Sequence, residues 1–91
     1  MNQQLQYWAT EFINDNSTAY WSISGFPRGK VVTVQAIPTD GVPGVELIVP
    51  SPSWEKIIDA NGDWDWQLDF SVENVSGNSV VYEIWALVTT T

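Results

Sequence analysis

The side chains of this sequence best suited to chemistry are carboxylates and an amide in one short segment. Asp59, Asn61, Asp63 and Asp65 lie close together around an Asn-Gly pair. Calcium takes six to eight oxygen ligands from turns of this kind. The segment is not an EF-hand, because its Gly stands fourth rather than sixth and no Glu occupies the twelfth place. A calcium site at these four residues is one expectation, and an ordinary acidic hairpin turn is the alternative.

Paired carboxylates could also act as a general acid and base. Asp63, Asp65 and Asp69 would share one face of a strand. Neighbours two apart on a strand are about 6.5–7 Å apart, which overlaps the carboxyl separation in inverting glycosidases. However, no apolar surroundings that would raise the pKa of one carboxyl are evident. The sequence has no His and no Cys, which excludes Ser-His-Asp and Cys-His catalysis and Cys/His zinc sites. We therefore expect a protein that is not an enzyme.

Residues 25–31, Gly-Phe-Pro-Arg-Gly-Lys-Val, superficially resemble a phosphate-binding loop. The segment is one residue short, lacks a Ser or Thr after the Lys, and precedes a strand rather than a helix. We interpret it as a plain hairpin loop. Its Arg28 and Lys30 are the basic pair of the sequence, where an acidic counter-patch could dock.

Aromatic residues are the strongest indication of a binding function. Six Trp, three Tyr and three Phe are more than one side of a thin core can hold. Some rings are therefore expected at a subunit interface or a partner surface. Acidic side chains would add negative charge near a basic partner, and rings flanked by Asp, Asn and Gln could instead stack on sugars. The predicted binding residues are Trp8, Tyr20, Trp85, Asp65, Asp69 and Glu83.

Residues 63–73 alternate without a break between apolar and polar side chains. The apolar set is Trp64, Trp66, Leu68, Phe70 and Val72. Side chains two apart share a face in a strand, so this segment is predicted to be a strand with one face on the core. Its acidic face would lie in water.

Six further segments are predicted strands, bounded by Gly, Pro, Asn, Asp or Ser. They are residues 5–14, 19–24, 30–37, 45–49, 54–58 and 79–89. The segment 54–58 is short enough to be one helical turn instead. In the first strand, Leu5, Tyr7, Ala9 and Ile13 would share one face, and Trp8 and Phe12 the other. Both faces are partly apolar, which indicates burial on both sides or a partner on one.

Seven strands with turns between them predict an all-β fold, a small antiparallel β-sandwich. An immunoglobulin-like Greek key is the first expectation, and a jelly-roll or a partly open barrel is the alternative. The long terminal strands are expected to pair in the core around the strand of residues 63–73. The 91 residues are expected to form one domain, 1–91.

The formal charge of −8 limits the kinds of partner. An acidic protein repels phosphate backbones and anionic membrane surfaces, so we expect neither nucleic acid binding nor membrane insertion. No segment is typical of a signal peptide or a transmembrane helix. The absence of Cys favours the cytoplasm. Asn16-Ser17-Thr18 and Asn74-Val75-Ser76 match the N-glycan acceptor pattern.

Together these features predict a non-enzymatic interaction module. It would bind another protein, or form a homo-oligomer, through its aromatic surface. One route to self-association is pairing of the C-terminal strand, at a sheet edge, with the same strand of a second copy. A carbohydrate-binding module with exposed Trp and Tyr rings is one alternative, and a structural subunit of a larger assembly is another.

Overall fold

The computed structural model describes residues 2–26 and 30–90, and these residues form seven β-strands. The strands are β1 (Asn2–Ile13), β2 (Thr18–Phe26), β3 (Lys30–Pro38), β4 (Leu47–Ile48), β5 (Ser53–Ile58), β6 (Trp64–Asn74) and β7 (Val80–Thr90). The predicted all-β fold is confirmed, and the segment 54–58 lies in a strand. Within the described ranges, no helix is long and apolar enough to cross a membrane.

The strands form two antiparallel sheets that pack against each other. Sheet I has the order β1-β7-β3. In sheet II, β6 pairs with β2 on one side, and with β5 and β4 in succession on the other. The central strands of the two sheets are therefore β7 and β6, which follow one another in the sequence.

The strand order differs from the first expectation. In an immunoglobulin-like sandwich the first two strands are neighbours in one sheet, whereas β1 and β2 belong to different sheets, so that topology is not confirmed. β1 to β4 alternate between the sheets, and the first strand pairs with the last; the jelly-roll and barrel alternatives stay predictions. The terminal strands do pair with each other, but not around β6, which lies in the opposite sheet. Because β7 has a partner on both sides, the expected pairing of the C-terminal strand at a sheet edge is wrong.

The core lies between the sheets and is built mainly from the inward faces of the two central strands. As predicted, Leu68, Phe70 and Val72 of β6 are buried, and the acidic residues of β6 lie on its other side. In β7, alternate residues from Val80 to Val88 are buried. The buried apolar residues are Ile13, Phe26, Val32, Val34, Leu68, Phe70, Val72, Val80, Tyr82, Ile84, Ala86 and Val88.

A β-bulge at Trp8 changes which side chains of β1 face the core. Tyr7 lies opposite Trp85, and Ala9 lies opposite Ile84, so Trp8 is the extra residue. A one-residue shift turns every later side chain to the other face. The predicted shared face is therefore wrong: Leu5 and Tyr7 are exposed, whereas Ile13 is buried.

The β5–β6 hairpin, with its loop at residues 59–63, confirms the turn predicted from Asn61-Gly62. The Gly62 N–H donates to the Asp59 carbonyl (3.0 Å), and the Asp59 N–H donates to the Asp63 carbonyl (2.8 Å). Gly62 has a φ of 82°, whereas the φ of Asn61 is not positive. The loop is therefore not a type I′ turn, which needs positive φ at both central residues. Trp64, predicted to lie on the core, is exposed, and the Lys56 ammonium lies 4.2 Å from its ring centroid.

Candidate functional site

The outward side of sheet I is rich in apolar side chains, where a water-facing sheet usually carries polar ones. Cross-strand partners share a face, and the outward pairs include Leu5 with Leu87 and Tyr7 with Trp85. On the other side of β7, Gln35 lies opposite Trp85. We call this surface the apolar face; its apolar members are Leu5, Tyr7, Phe12, Val31, Ile37, Val81, Trp85 and Leu87.

The apolar face is open to solvent and spans the sheet. Phe12 and Val31, at diagonally opposite corners, are 58% and 57% exposed. Three strands of about eleven residues cover about 36 by 14 Å, a flat footprint of about 500 Å². By register, eight of the fourteen outward positions are apolar, so the apolar part covers about 300 Å², at the lower end of the roughly 300–600 Å² of apolar patches that are often functional on monomers. The face is therefore large enough to be an interaction surface.

Trp85 lies at the centre of this face on the central strand. Its ring packs edge-on against Tyr7, with centroids 5.5 Å apart, and its indole N–H donates to Glu83 Oε1 at 3.1 Å. Beside the ring is a shallow cavity of about 190 Å³, lined also by Leu5 and Leu87. These contacts fix the orientation of the indole and leave an apolar depression next to it.

The apolar face carries little charge. Among the outward positions that the structure describes in sheet I, Glu83 is the single charged residue. By register, Lys30 and Glu11 lie on the inward side of their strands, opposite Thr90 and Tyr82. The acidic residues are concentrated elsewhere, in the loops and on sheet II.

The outward side of sheet II is polar and acidic. By register it carries Glu55, Asp65, Asp69 and Glu73. Among these acids stands one large ring, Tyr20, which is 84% exposed. The two outer faces of the sandwich therefore have opposite character, one apolar and nearly neutral, the other acidic.

Asp69 is held by hydrogen bonds on this acidic face. Ser22 Oγ donates to Asp69 Oδ1 at 2.8 Å, and Gln67 Nε2 donates to the same oxygen at 2.9 Å. The Ser22 bond, followed by the Gln67 bond, lowers the pKa of Asp69 below its ordinary value of 3.8. The carboxylate is therefore the preferred form in the folded protein.

Replacing Ser22 with alanine should raise the pKa of Asp69 toward 3.8, because the largest contribution to the shift is removed. A lowered folded-state pKa stabilises the fold above the unfolded pKa, and this stabilisation is lost as the pH falls through the folded value. The Ser22→Ala variant should lose less stability on acidification. Carboxyl NMR titration and urea unfolding measure the two effects. Ser71→Ala, on the same face, is the control, and an unchanged Asp69 titration in Ser22→Ala would contradict the assignment.

The structure divides the predicted binding residues among three places. Trp85 and Glu83 lie together on the apolar face, and Tyr20, Asp65 and Asp69 lie on the acidic face of sheet II. Trp8 was expected to face away from the core, and that orientation is wrong. Its ring packs near Phe26 and Phe70, with centroids 5.9 and 6.4 Å apart. The six residues therefore do not form one site.

Two of the three carboxylates proposed as calcium ligands, those of Asp59 and Asp65, are bonded to backbone N–H groups. Asp59 Oδ1 accepts from the N–H groups of Asn61 (2.9 Å) and Asp63 (3.0 Å). Asp65 accepts from the N–H groups of Gly25 (3.0 Å) and Trp66 (2.8 Å). In the part of the chain that the structure describes, no three acidic side chains converge as metal ligands would. A calcium site at Asp59, Asn61, Asp63 and Asp65 stays a prediction.

The basic pair is described in part. Lys30 begins β3, whereas Arg28 lies outside the described residues, as does the centre of the segment 25–31. The interpretation of that segment as a plain hairpin loop, and the docking of an acidic counter-patch there, stay predictions.

Several members of the apolar face were not among the predicted binding residues. They are Leu5, Tyr7, Phe12, Val31, Ile37, Val81 and Leu87. A signal for the members on β1 and β7 was present, because both faces of the first and last strands are partly apolar. The sequence could not assign the outward face, because the bulge at Trp8 changes the phase within β1.

Comparison with protein-family models, with curated proteins and with solved structures finds no match for this chain. The fold and its surfaces define a class: a small antiparallel β-sandwich with one apolar and one acidic outer face.

Proposed function

We propose that this protein is a non-enzymatic interaction module that forms a homo-oligomer through the apolar face. The observation that supports the proposal is the set of exposed apolar side chains around Trp85, with Glu83 as the one charged residue described among them. Burying this face would remove apolar surface from water, and Glu83 is the one described charge on it that would have to be desolvated.

A second copy of the chain suits this face better than a basic partner. A basic protein would be attracted to the acids of sheet II, whereas the apolar face offers no negative field to match it. An apolar, nearly neutral patch is complementary to itself across a two-fold axis. Two flat footprints of about 500 Å² together reach about 1,000 Å², the size that a specific interface should clear.

The net charge of −8 does not oppose this arrangement strongly. When two sheets stack face to face they lie about 10 Å apart. The acids of sheet II would then lie beyond sheet I, on the far side of each copy. Charges separated by more than the Debye length of about 8 Å in physiological salt are largely screened. The acids of sheet II in the two copies therefore stay apart and in water.

The variant Phe12→Lys with Val31→Lys should dissociate the oligomer. Both residues are more than half exposed in the monomer, so the fold should tolerate lysine there. In a stacked dimer the ammonium groups would have to be desolvated against apolar side chains, with Glu83 as the one described acid on the face. We expect the dissociation constant to rise by at least about 100-fold, which corresponds to about 2.7 kcal/mol. Sedimentation equilibrium of the wild type and the variant measures this change.

The matched control is Thr18→Lys with Tyr20→Lys, which makes the same change of charge on the outward side of sheet II. This control should sediment as the wild type does. A wild-type protein that stays monomeric up to millimolar concentration would contradict the proposal. Dissociation of the oligomer by the control pair, but not by the Phe12 and Val31 pair, would contradict it as well.

A further inference from the structure

The edge of sheet II beside β6 is interrupted. β5 pairs with β6 as far as Asp69, through Ser53, and β4 pairs with it again from Glu73, through Ile48. Residues 70–72 of β6 have no strand partner on this side in the described chain. Pro50 and Pro52 stand between the two short strands, and proline cannot donate a ladder hydrogen bond. The sheet therefore has a gap about three residues long.

An open cleft of about 300 Å³ lies at this gap, on the acidic face of the sandwich. This volume is at the lower end of the range for ligand sites and suits a small ligand or one ring of a larger one. Its polar lining residues are Ser22, Ser51, Ser53, Asp69 and Ser71, and its aromatic ones are Tyr20, Trp21 and Phe70.

The lining combines aromatic rings and a proline with hydroxyl groups and one carboxylate. The Tyr20 ring is 84% exposed, so its surface is available to a ligand. Each serine hydroxyl can both donate and accept a hydrogen bond. The two described donors to Asp69, from Ser22 and Gln67, both reach Oδ1. No described hydrogen bond reaches Asp69 Oδ2, although the Glu55 side chain also lies beside this carboxylate, so Oδ2 is the candidate acceptor for a ligand hydroxyl.

We infer that this cleft binds a neutral saccharide, with one sugar ring stacked on Tyr20 and its hydroxyls bonded by Asp69 and the surrounding serines. The C–H face of a pyranose packs on an aromatic ring, and adjacent hydroxyls match donors and acceptors that lie side by side. This site is on the sheet opposite the apolar face, so the inference does not depend on self-association.

Other ligand classes fit the cleft less well. An anionic ligand would be repelled by Asp69 and by Glu55 and Glu73 on the same face. Calcium needs six to eight oxygens, and among the described lining residues Asp69 is the single carboxylate. A peptide strand would have about 10 Å of open edge, because the gap is three residues long. A neutral polyhydroxylated ring needs no cationic side chain, no further carboxylates and no long open strand edge.

Titration of the uniformly ¹⁵N-labelled protein with neutral hexasaccharides tests the inference. The probes are cellohexaose, maltohexaose, chitohexaose, xylohexaose and mannohexaose. At least one of them should shift the amide signals of Tyr20, Ser22, Ser53 and Ser71, with a dissociation constant of about 1 mM or below. Tyr20→Ala should weaken binding by at least about tenfold, whereas Tyr20→Phe should keep most of it because the ring remains.

Trp64→Ala is the matched control, since it removes an exposed ring that belongs neither to the cleft nor to the apolar face and should leave saccharide binding unchanged. The inference is overturned if none of the five probes shifts the spectrum, or if the shifts map to the apolar face. Equal binding of a hexagalacturonate would overturn the neutral class of ligand. Sedimentation of Tyr20→Ala as the wild-type oligomer would show that the two surfaces act separately, so either proposal can fail without the other.

Discussion

Replacing Asn74 with aspartate should lower the free energy of unfolding by about 3–5 kcal/mol near neutral pH, the usual cost of leaving a buried charge without its partners. The Asn74 side chain is 2% exposed. Its Nδ2 donates to the carbonyls of Asn14 (3.1 Å) and Asn78 (2.8 Å), and its Oδ1 accepts from the N–H (3.0 Å) and Oγ (2.7 Å) of Ser76. All the hydrogen-bonding groups of this amide are therefore used.

The position of these bonds explains why the loss should be large. Asn74 connects the β1–β2 turn to the β6–β7 turn, at one end of the sandwich. A carboxylate in its place would face two carbonyl oxygens and have no donors for them. Because burial would raise the pKa of the new carboxyl, acidification would protonate it and restore one donor. A raised folded-state pKa means that stability is regained as the pH falls.

Urea unfolding near pH 7 and about pH 4, relative to the wild type, measures both effects. The matched control is Asn78→Asp, the same chemical change at an exposed residue whose carbonyl, not its side chain, makes the described bonds. It should change stability by about 0.5 kcal/mol or less. A loss below about 1 kcal/mol for Asn74→Asp, or the same loss at both pH values, would contradict this account. Because the Asn74 side chain is buried, the N-glycan acceptor site Asn74-Val75-Ser76 is inaccessible to glycosylation once the protein has folded.

Replacing Tyr82 with alanine should cost about 3–5 kcal/mol, because Tyr82 is among the largest fully buried side chains of the described core. Its hydroxyl accepts from the Trp21 indole N–H at 3.2 Å, so one bond links β7 of sheet I to β2 of sheet II. Tyr82→Phe keeps the ring but removes the acceptor, and should cost about 1 kcal/mol. Thermal or urea unfolding of the two variants separates the ring from the hydroxyl.

Burial raises the pKa of Tyr82 above its ordinary value of 10.0; the Trp21 hydrogen bond opposes this shift, and the charge of Glu11 adds to it. The folded state therefore holds this proton more tightly than the unfolded chain does. The stabilisation that comes from this raised pKa is fully present below about pH 10, and it is lost as the pH rises through the pKa of Tyr82 in the folded state. Tyr82→Phe should lack this alkaline loss, whereas Tyr20→Phe, on an exposed ring, should retain it. If the free energy of unfolding falls equally with rising alkaline pH in the wild type and in Tyr82→Phe, Tyr82 is not the group responsible for the loss.

The strand positions could be predicted because the side-chain pattern is local. In β6, alternation places three apolar residues in the core and the acids outside, as expected from a period of two. The prediction failed for Trp64 at the end of that strand, where the ring is exposed beside Lys56. A periodic pattern gives the face of a residue but not how far the opposite sheet extends over it.

Features that depend on pairing between distant segments could not be predicted. The bulge at Trp8 is defined by the register of β1 against β7, and nothing in the local sequence marks the extra residue. For the same reason the first expectation for the topology was not confirmed. The gap in sheet II could not be foreseen either, although Pro50 and Pro52 mark the place where pairing stops.

The candidate surfaces were predicted in part. Trp85 and Glu83 were assigned to a binding surface from composition and alternation, and the structure places both on the apolar face. Tyr20 and Asp69 were grouped with them, but they lie on the opposite sheet. From the sequence, Asn74 was noted only as part of an N-glycan acceptor pattern. Its role in joining two turns could not be predicted, because that role depends on the β1–β2 turn lying beside the end of β6. A sequence identifies side chains with binding chemistry more readily than it groups them.

Isotope-filtered NOE spectroscopy on a mixture of labelled and unlabelled chains tests the self-association proposal most directly. It detects protons of one copy that lie within a few ångströms of the other, without any substitution. The expected result is a set of intermolecular contacts involving the side chains of Trp85, Leu5 and Phe12, with none from Tyr20. Intermolecular contacts confined to sheet II, or none at concentrations where the protein should be dimeric, would contradict the assignment of the apolar face as the interface.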